Sequence, residues 1–206
     1  MIVKNIQDFK RGYYRTVLID PPWRYMTWNK VEAIPRGRPG GGTKVAADVH
    51  YKTMEAVEIE KLPIGDIAAP DCVLFLWATW PLMRDAFRII ELWDFKFKTC
   101  AFNWLKITSE GVPAMGQGFW TRANSEVCLL ATRGKPKRLH ADVRQGIIEP
   151  RREHSRKPDT VRHRIERLVR GPRADIFSRQ DRNGWDCFGD QIEHFPIDTS
   201  NTNSKA

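Results

Sequence analysis

Short apolar runs alternate with longer amphipathic segments along this chain, and the alternation predicts its elements. Thr16-Val17-Leu18-Ile19 is apolar and rich in β-branched side chains, the pattern of a buried strand. Two prolines follow at 21 and 22. Proline has no N–H to give to a sheet ladder, so this strand must stop at Asp20. Val73-Leu74-Phe75-Leu76-Trp77 is continuously apolar, as a central parallel strand would be. Residues 97–106, 125–132 and 174–177 read as further strands. Thr53 is a predicted N-cap for a short helix through Glu60. Pro81 opens a helix to about Trp93, with Leu82, Ala86 and Ile89 on one face. Pro158 fits the first position of a later helix, ended by Gly171-Pro172. Val161, Ile165, Leu168 and Val169 form its buried stripe, with Arg162, Arg164, Arg167 and Arg170 largely off it. Strands alternating with helices imply one α/β domain with a mainly parallel sheet.

The segments without periodicity set the boundaries. Residues 24–50 carry Pro35, Pro39 and Gly40-Gly41-Gly42, and read as a long mobile loop inserted after the first strand. A substrate-contacting lid and a dispensable insertion are equally open for it. Residues 116–124 form a second loop, and 144–156 is basic and loop-like. The chain is polar and aperiodic from Pro196 onward, so a single domain over 1–196 and a disordered tail over 197–206 are expected.

Composition narrows the class. Hydrophobic residues are 41% and charged residues 29% of 206, enough for one globular domain with a real core. No apolar run is as long as a membrane span and no signal-peptide core opens the chain, so a cytoplasmic location and no membrane partner are expected. Cys72, Cys100, Cys128 and Cys187 form no Cys-x-x-Cys pair and read as reduced core residues; no metal site is expected. The formal charge of +9 is concentrated between Arg133 and Arg173, the electrostatic footprint of a polyanion binder. Arg151 and Arg152 in that stretch are expected on nucleic-acid phosphates.

Asp20-Pro21-Pro22-Trp23 carries the candidate chemistry. The Asp20 carboxylate and the proline carbonyls form a set of acceptors at a strand's C-terminal end, where open α/β sheets bind ligands. Such a set suits an amino group, and the Trp23 ring would stack on the base that bears it. No phosphate-binding Gly-x-x-x-x-Gly-Lys-Ser/Thr loop and no Gly-x-Gly-x-x-Gly after a strand is present, which argues against nucleotide hydrolysis and nicotinamide chemistry. Lys157, just before the late helix, would act together with the helix dipole on an anion.

Read in order, these stretches resemble a known family. They are Asp20-Pro21-Pro22-Trp23; Tyr51-Lys52-Thr53-Met54; Leu74-Phe75-Leu76-Trp77-Ala78-Thr79; Trp104-Leu105-Lys106; Glu126 with Cys128-Leu129-Leu130-Ala131; Ser155-Arg156-Lys157-Pro158-Asp159; Ile165-Glu166-Arg167-Leu168; and Ile176-Phe177-Ser178-Arg179 with Gly184-Trp185. The chain is similar, from about Val17 to Gln191, to the N(6)-adenine methyltransferases related to the catalytic subunit of the messenger-RNA adenosine methyltransferase. The resemblance implies a Rossmann-like fold, with helices on both faces of the sheet and S-adenosylmethionine as methyl donor. It places the target amine at Asp20, Pro21, Pro22 and Trp23, with Asp20 also beside the methionine moiety. It places Tyr51, Glu126 and Lys106 with the substrate. Lys157 and Ser155 fall on the cofactor, Lys157 at its carboxylate, and Arg179, Asp190 and Gln191 along its adenosine part. Asp190 departs from the family's usual amide, and an ionised aspartate only accepts hydrogen bonds. The implied reaction is methylation of adenine N6 in nucleic acid, DNA favoured and RNA open. A catalytically silent nucleic-acid-binding subunit is the competing reading. Monomer and homodimer are both open.

Overall fold

The computed structural model describes residues 1–24, 53–116, 120–152, 156–190 and 192. The expected loop beyond Arg24, the tail, Tyr51, Ser155 and Gln191 lie outside the described residues. Strand β1, Tyr14–Ile19, ends one residue before Asp20, as the two prolines require. It lies between β2, Ala68–Ala78, and β6, Arg173–Ile176, parallel to both. Beyond β6 runs β7, Asp186–Phe188, also parallel. On the other side come β4, Ser125–Arg133, then β3, Lys96–Ile107, then β5, Gly146–Pro150. The full order is β5-β3-β4-β2-β1-β6-β7. Only β4 runs against the rest, antiparallel to β2 and to β3. The sheet is therefore mainly parallel, with one reversal that the apolar pattern does not encode.

Side chains alternate across this sheet. Val17 and Ile19 of β1, with Leu74 and Leu76 of β2, face one core. Leu18, Val73, Phe75 and Trp77 face the other. The first core is closed by helices α1, Ala56–Glu60, α2, Ile64–Ile67, and α3, Met83–Leu92. Ile59, Ile64, Ile89 and Ile90 are wholly buried there, and each stabilises the fold by about 1.5–3 kcal/mol. The second core is closed by α4, Asp159–Leu168, through Val161 and Ile165. Helices on both faces give the expected Rossmann-like layering. All four cysteines lie on strands with free thiols, three of them buried.

Three expectations about elements need correction. The first helix starts at Ala56 with Glu55 as its N-cap, because Met54 is already used: its N–H donates to the Pro22 carbonyl at 2.8 Å in a one-residue bridge to Trp23. The stretch 144–156 is not all loop. Gly146–Pro150 pairs in parallel with β3 as an edge strand, burying Ile147 while Ile148 stays exposed. Arg162 is not a surface charge. Its side chain is only 12% exposed and pairs with Asp175.

The chain moves outward from β1 through β2 and returns on β1's other side at β6, so a topological switch point opens between the C-terminal ends of β1 and β6. The turn leaving β6 is tightly built. Phe177 has φ +63°, a strained value for a bulky residue. Ser178 N–H donates to Phe188 carbonyl at 2.8 Å, and Ser178 Oγ to Gln180 carbonyl at 2.8 Å. Gly189 packs directly on this turn: a Cβ there would stand 2.0 Å from the Ser178 carbonyl oxygen. Gly189→Ala is expected to lower stability by about 1–3 kcal/mol, as overpacking does, and to weaken ligand binding in the neighbouring cleft. Chemical denaturation with parallel ligand titration checks this; an unchanged midpoint would mean the turn yields without cost.

Candidate active site

The cleft at the switch point is lined by Asp20 from β1's end, Trp77 from β2, Lys157 and Pro158 ahead of α4, Arg162 of α4, and Phe177, Arg179 and Gln180 after β6. Asp20 is held in place by its own backbone, whose N–H donates to the Ile176 carbonyl at 3.2 Å. The sequence 137 residues later supplies its partner. Lys157 Nζ donates to Asp20 Oδ1 at 2.8 Å and Oδ2 at 2.7 Å. It also lies 3.2 Å from Glu126 Oε2. Glu126 in turn accepts from Lys106 Nζ. Four charges thus alternate along the rim: Asp20, Lys157, Glu126, Lys106.

The reversal of β4 explains why Glu126 is here. It is the second residue of β4, and the start of a reversed strand lies at the rim where its neighbours end. A carboxylate at a strand's head reads as surface-exposed, but Glu126 keeps only 24% of its side chain exposed and faces two ammonium groups.

Burial and pairing compete at each group. Burial pushes the Asp20 carboxyl up, and Lys157 pulls it only part of the way back, so it stays above its usual range. Burial also works to raise Glu126, but Lys157 and Lys106 outweigh it and hold it at about 2, below the usual 4.5. Burial disfavours the charged Lys157, yet Asp20 and Glu126 overcome that and raise it above its ordinary value. Lys157 therefore stays cationic, and it opposes the burial that holds the Asp20 carboxyl above its usual range. Its ammonium also lies 5.1 Å from the centre of the Trp77 ring.

The other expected residues divide. Pro21 and Pro22 stand at the rim, and their carbonyls already accept, from Trp23 N–H at 2.8 Å and Met54 N–H at 2.8 Å. Each keeps a second lone pair. Trp23 does not present a stacking face. It is 6% exposed, packs in the core beneath α1 to α3, and donates its indole N–H to the Trp77 carbonyl at 2.9 Å. It ties the ends of β1 and β2 together. Arg152 is paired with Asp159 at the start of α4, whereas Arg151 is exposed beside the end of β3. Arg179 lines the cleft; Asp190 is exposed and outside its lining. Sequence reasoning missed Arg162, Asp175 and Gln180. Arg162 Nε donates to Asp175 Oδ2 at 2.7 Å, Asp175 is 2% exposed, and Gln180 Oε1 accepts from Arg156 Nη2 at 2.9 Å. The one available signal for Asp175 was a charge inside an apolar strand.

The lining carries both signs of charge and an apolar wall: Asp20 supplies a carboxyl, Arg179 and Lys157 supply positive charge, and Leu18, Val161 and Phe177 supply the wall. Such a lining could hold a group that is cationic at one point, anionic at another and apolar elsewhere. All three N–H groups of Lys157 have carboxylate acceptors, so its geometry serves Asp20 and Glu126 first.

With this geometry in view, the comparisons with known proteins are direct. The MT-A70 family model matches residues 14–191. The chain is 31% identical over 191 residues to the type II methyltransferase M.MunI of Mycoplasma sp, covering 88% of this chain and 79% of that protein. It is 26% identical over 191 residues to the human N(6)-adenosine-methyltransferase catalytic subunit METTL3, covering 88% of this chain and 29% of that protein. It is 28% identical over 193 residues to the N6-methyladenosine RNA methyltransferase MTA1 of Pyricularia oryzae, of which it covers 48%. The chain therefore spans about half or less of these last two relatives. No helix among the described residues is long and apolar enough to cross a membrane.

Two outcomes follow from the charge row. Glu126 is more acidic folded than unfolded, so its ionisation stabilises the fold above about pH 4.5, and that contribution fades as pH falls toward about 2. Glu126→Gln should flatten this part of the acid limb in melting temperature measured against pH; an identical limb would show that Glu126 is not coupled to the lysines. Lys157→Ala leaves two half-buried carboxylates without their shared cation and should cost up to about 3 kcal/mol at pH 7. That loss should shrink as pH is lowered and a carboxylate takes a proton. A loss independent of pH would assign Lys157 a packing role.

Proposed function

Since the chain belongs to the MT-A70 family, we propose that it transfers a methyl group from S-adenosylmethionine to the N6 amine of adenine in nucleic acid, with DNA the favoured polymer. The observation that carries this reading is the Asp20 side chain, held through both oxygens by Lys157 and set at the switch-point rim beside two proline carbonyls. The share of length matched favours DNA: 79% of the type II methyltransferase, against under half of the relatives named for adenosine or RNA.

The adenine amine is a poor nucleophile because its lone pair is delocalised into the ring. S-adenosylmethionine supplies an electrophilic methyl group on a cationic sulfur. Asp20 accepts an N–H of the amine through a lone pair not engaged by Lys157, since a carboxylate offers about four such sites. A proline carbonyl accepts the second N–H. Both contacts favour a pyramidal nitrogen and strengthen as positive charge grows on it, which is selective stabilisation of the transition state. The chain needs no strong base, because the methylated ammonium is itself acidic. Lys157, ahead of α4, would stand toward the cofactor's carboxylate and Arg179 toward its adenosine part, with the wall of Leu18, Val161 and Phe177 against its apolar parts. Glu126 and Lys106 edge the acceptor pocket. In a duplex the base must leave the stack to reach Asp20.

Asp20→Asn keeps the volume but turns one acceptor into a donor that faces the amine's own N–H. It also leaves Lys157 with weaker partners. Single-turnover methyl transfer should fall on the order of a hundred- to a thousandfold. Cofactor titration and thermal melting on the same preparation should change only modestly. Transfer near the parent rate would overturn the assignment of Asp20.

A further inference from the structure

Most tryptophans in the described residues are core. Trp23, Trp77, Trp93, Trp104 and Trp185 are each 6% exposed or less. Trp120 is 100% exposed. Leaving an indole in water forgoes about as much burial energy as any side chain can supply. The base of its loop is closed by Gly116, whose backbone approaches Ala123 so nearly that a Cβ would overlap the Ala123 carbonyl oxygen, and by Arg122 Nε donating to the Gly116 carbonyl at 2.7 Å. Asn124 then accepts from Lys106 N–H at 2.8 Å, and Glu126 follows at the rim. Trp120 is three residues from Ala123, so by chain length its backbone lies within roughly 11 Å of that anchor. That anchor leads through Asn124 to Lys106 and Glu126 at the rim. On the same edge, Arg151 is exposed at the end of β5, beside Ile107 of β3.

We propose that Trp120 is a stacking platform for a base of the substrate strand next to the target adenine, with Arg151 on the strand's phosphate. This rests on the reading that the chain methylates nucleic acid. An exposed indole on the same edge as an exposed guanidinium is the combination that holds single-stranded or locally opened nucleic acid. The charge excess of the chain suits a polyanion on this edge. The inference also fixes a direction: the strand leaves the pocket over β3 and β5, away from the cofactor side at β6.

The test uses the full chain and fluorescein-labelled oligonucleotides, single- and double-stranded, in DNA and RNA form, followed by anisotropy over a range of salt. Trp120→Ala should weaken strand binding by about tenfold or more. The slope of affinity against salt should not change, because stacking releases no counterions. Arg151→Gln should instead reduce that slope by about one. Trp120→Phe should restore most of the binding lost in Trp120→Ala. Melting temperature and S-adenosylmethionine binding should match the parent in Trp120→Ala, since the side chain touches neither core nor cleft. Unchanged strand binding in Trp120→Ala overturns the platform while leaving the methyltransferase reading intact. A change in sedimentation mass without one in strand binding also overturns it and assigns the indole to a protein contact. A parent chain that binds no oligonucleotide overturns both.

Discussion

One ammonium held between two carboxylates organises the functional end of this molecule. Asp20, Glu126 and Lys157 come from three distant parts of the chain, and each is buried enough that a charge there needs a partner. Asp20 needs a cation because burial favours its neutral form. Lys157 needs the carboxylates for the same reason. The fold brings them together by three separate devices. Two prolines stop β1 at Asp20; α4 begins just past Lys157; and the reversed β4 lifts Glu126 to the rim. A reaction that builds positive charge on an amine is matched to such a row, where negative charge is fixed before the substrate arrives and needs no rearrangement.

Much of this was legible in the order of residues. The stop at Asp20 follows from proline's missing N–H alone. The apolar runs of β1, β2, β4 and β6 follow from their composition, and the two helix stripes from their spacing. The direction of β4 did not, because an apolar run between turns reads alike in parallel and antiparallel settings. That is why the apolar pattern alone could not bring Glu126 to the rim beside Lys157. β5 was hidden by its length and its setting, five residues within a basic stretch with one buried isoleucine. The early helix was overrun at its start because Met54 serves a long-range bridge that no local pattern signals.

Long-range pairing also redistributed the expected site. Trp23 was expected to offer a face, but its N–H reaches Trp77 and its ring fills the first core. Arg152 was expected on phosphate but is engaged by Asp159, leaving Arg151 as the exposed cation. Arg162 joined a helical row of arginines that looked like a solvated face; its position opposite Asp175 turned it inward. In each case the residue type was noticed and its partner was not, since partners more than a few residues apart are set by topology rather than by local sequence.

The most direct test is to identify the methylated base. The purified chain is incubated with methyl-labelled S-adenosylmethionine and matched DNA and RNA oligonucleotides, single- and double-stranded. The products are then digested to nucleosides and separated. The charge row at Asp20 and the family together lead to label on the N6 amine of adenine, with the larger yield from DNA. Label on cytosine or on a ring nitrogen, or no transfer to any of the four polymers, would contradict the assignment of Asp20 to the adenine amine.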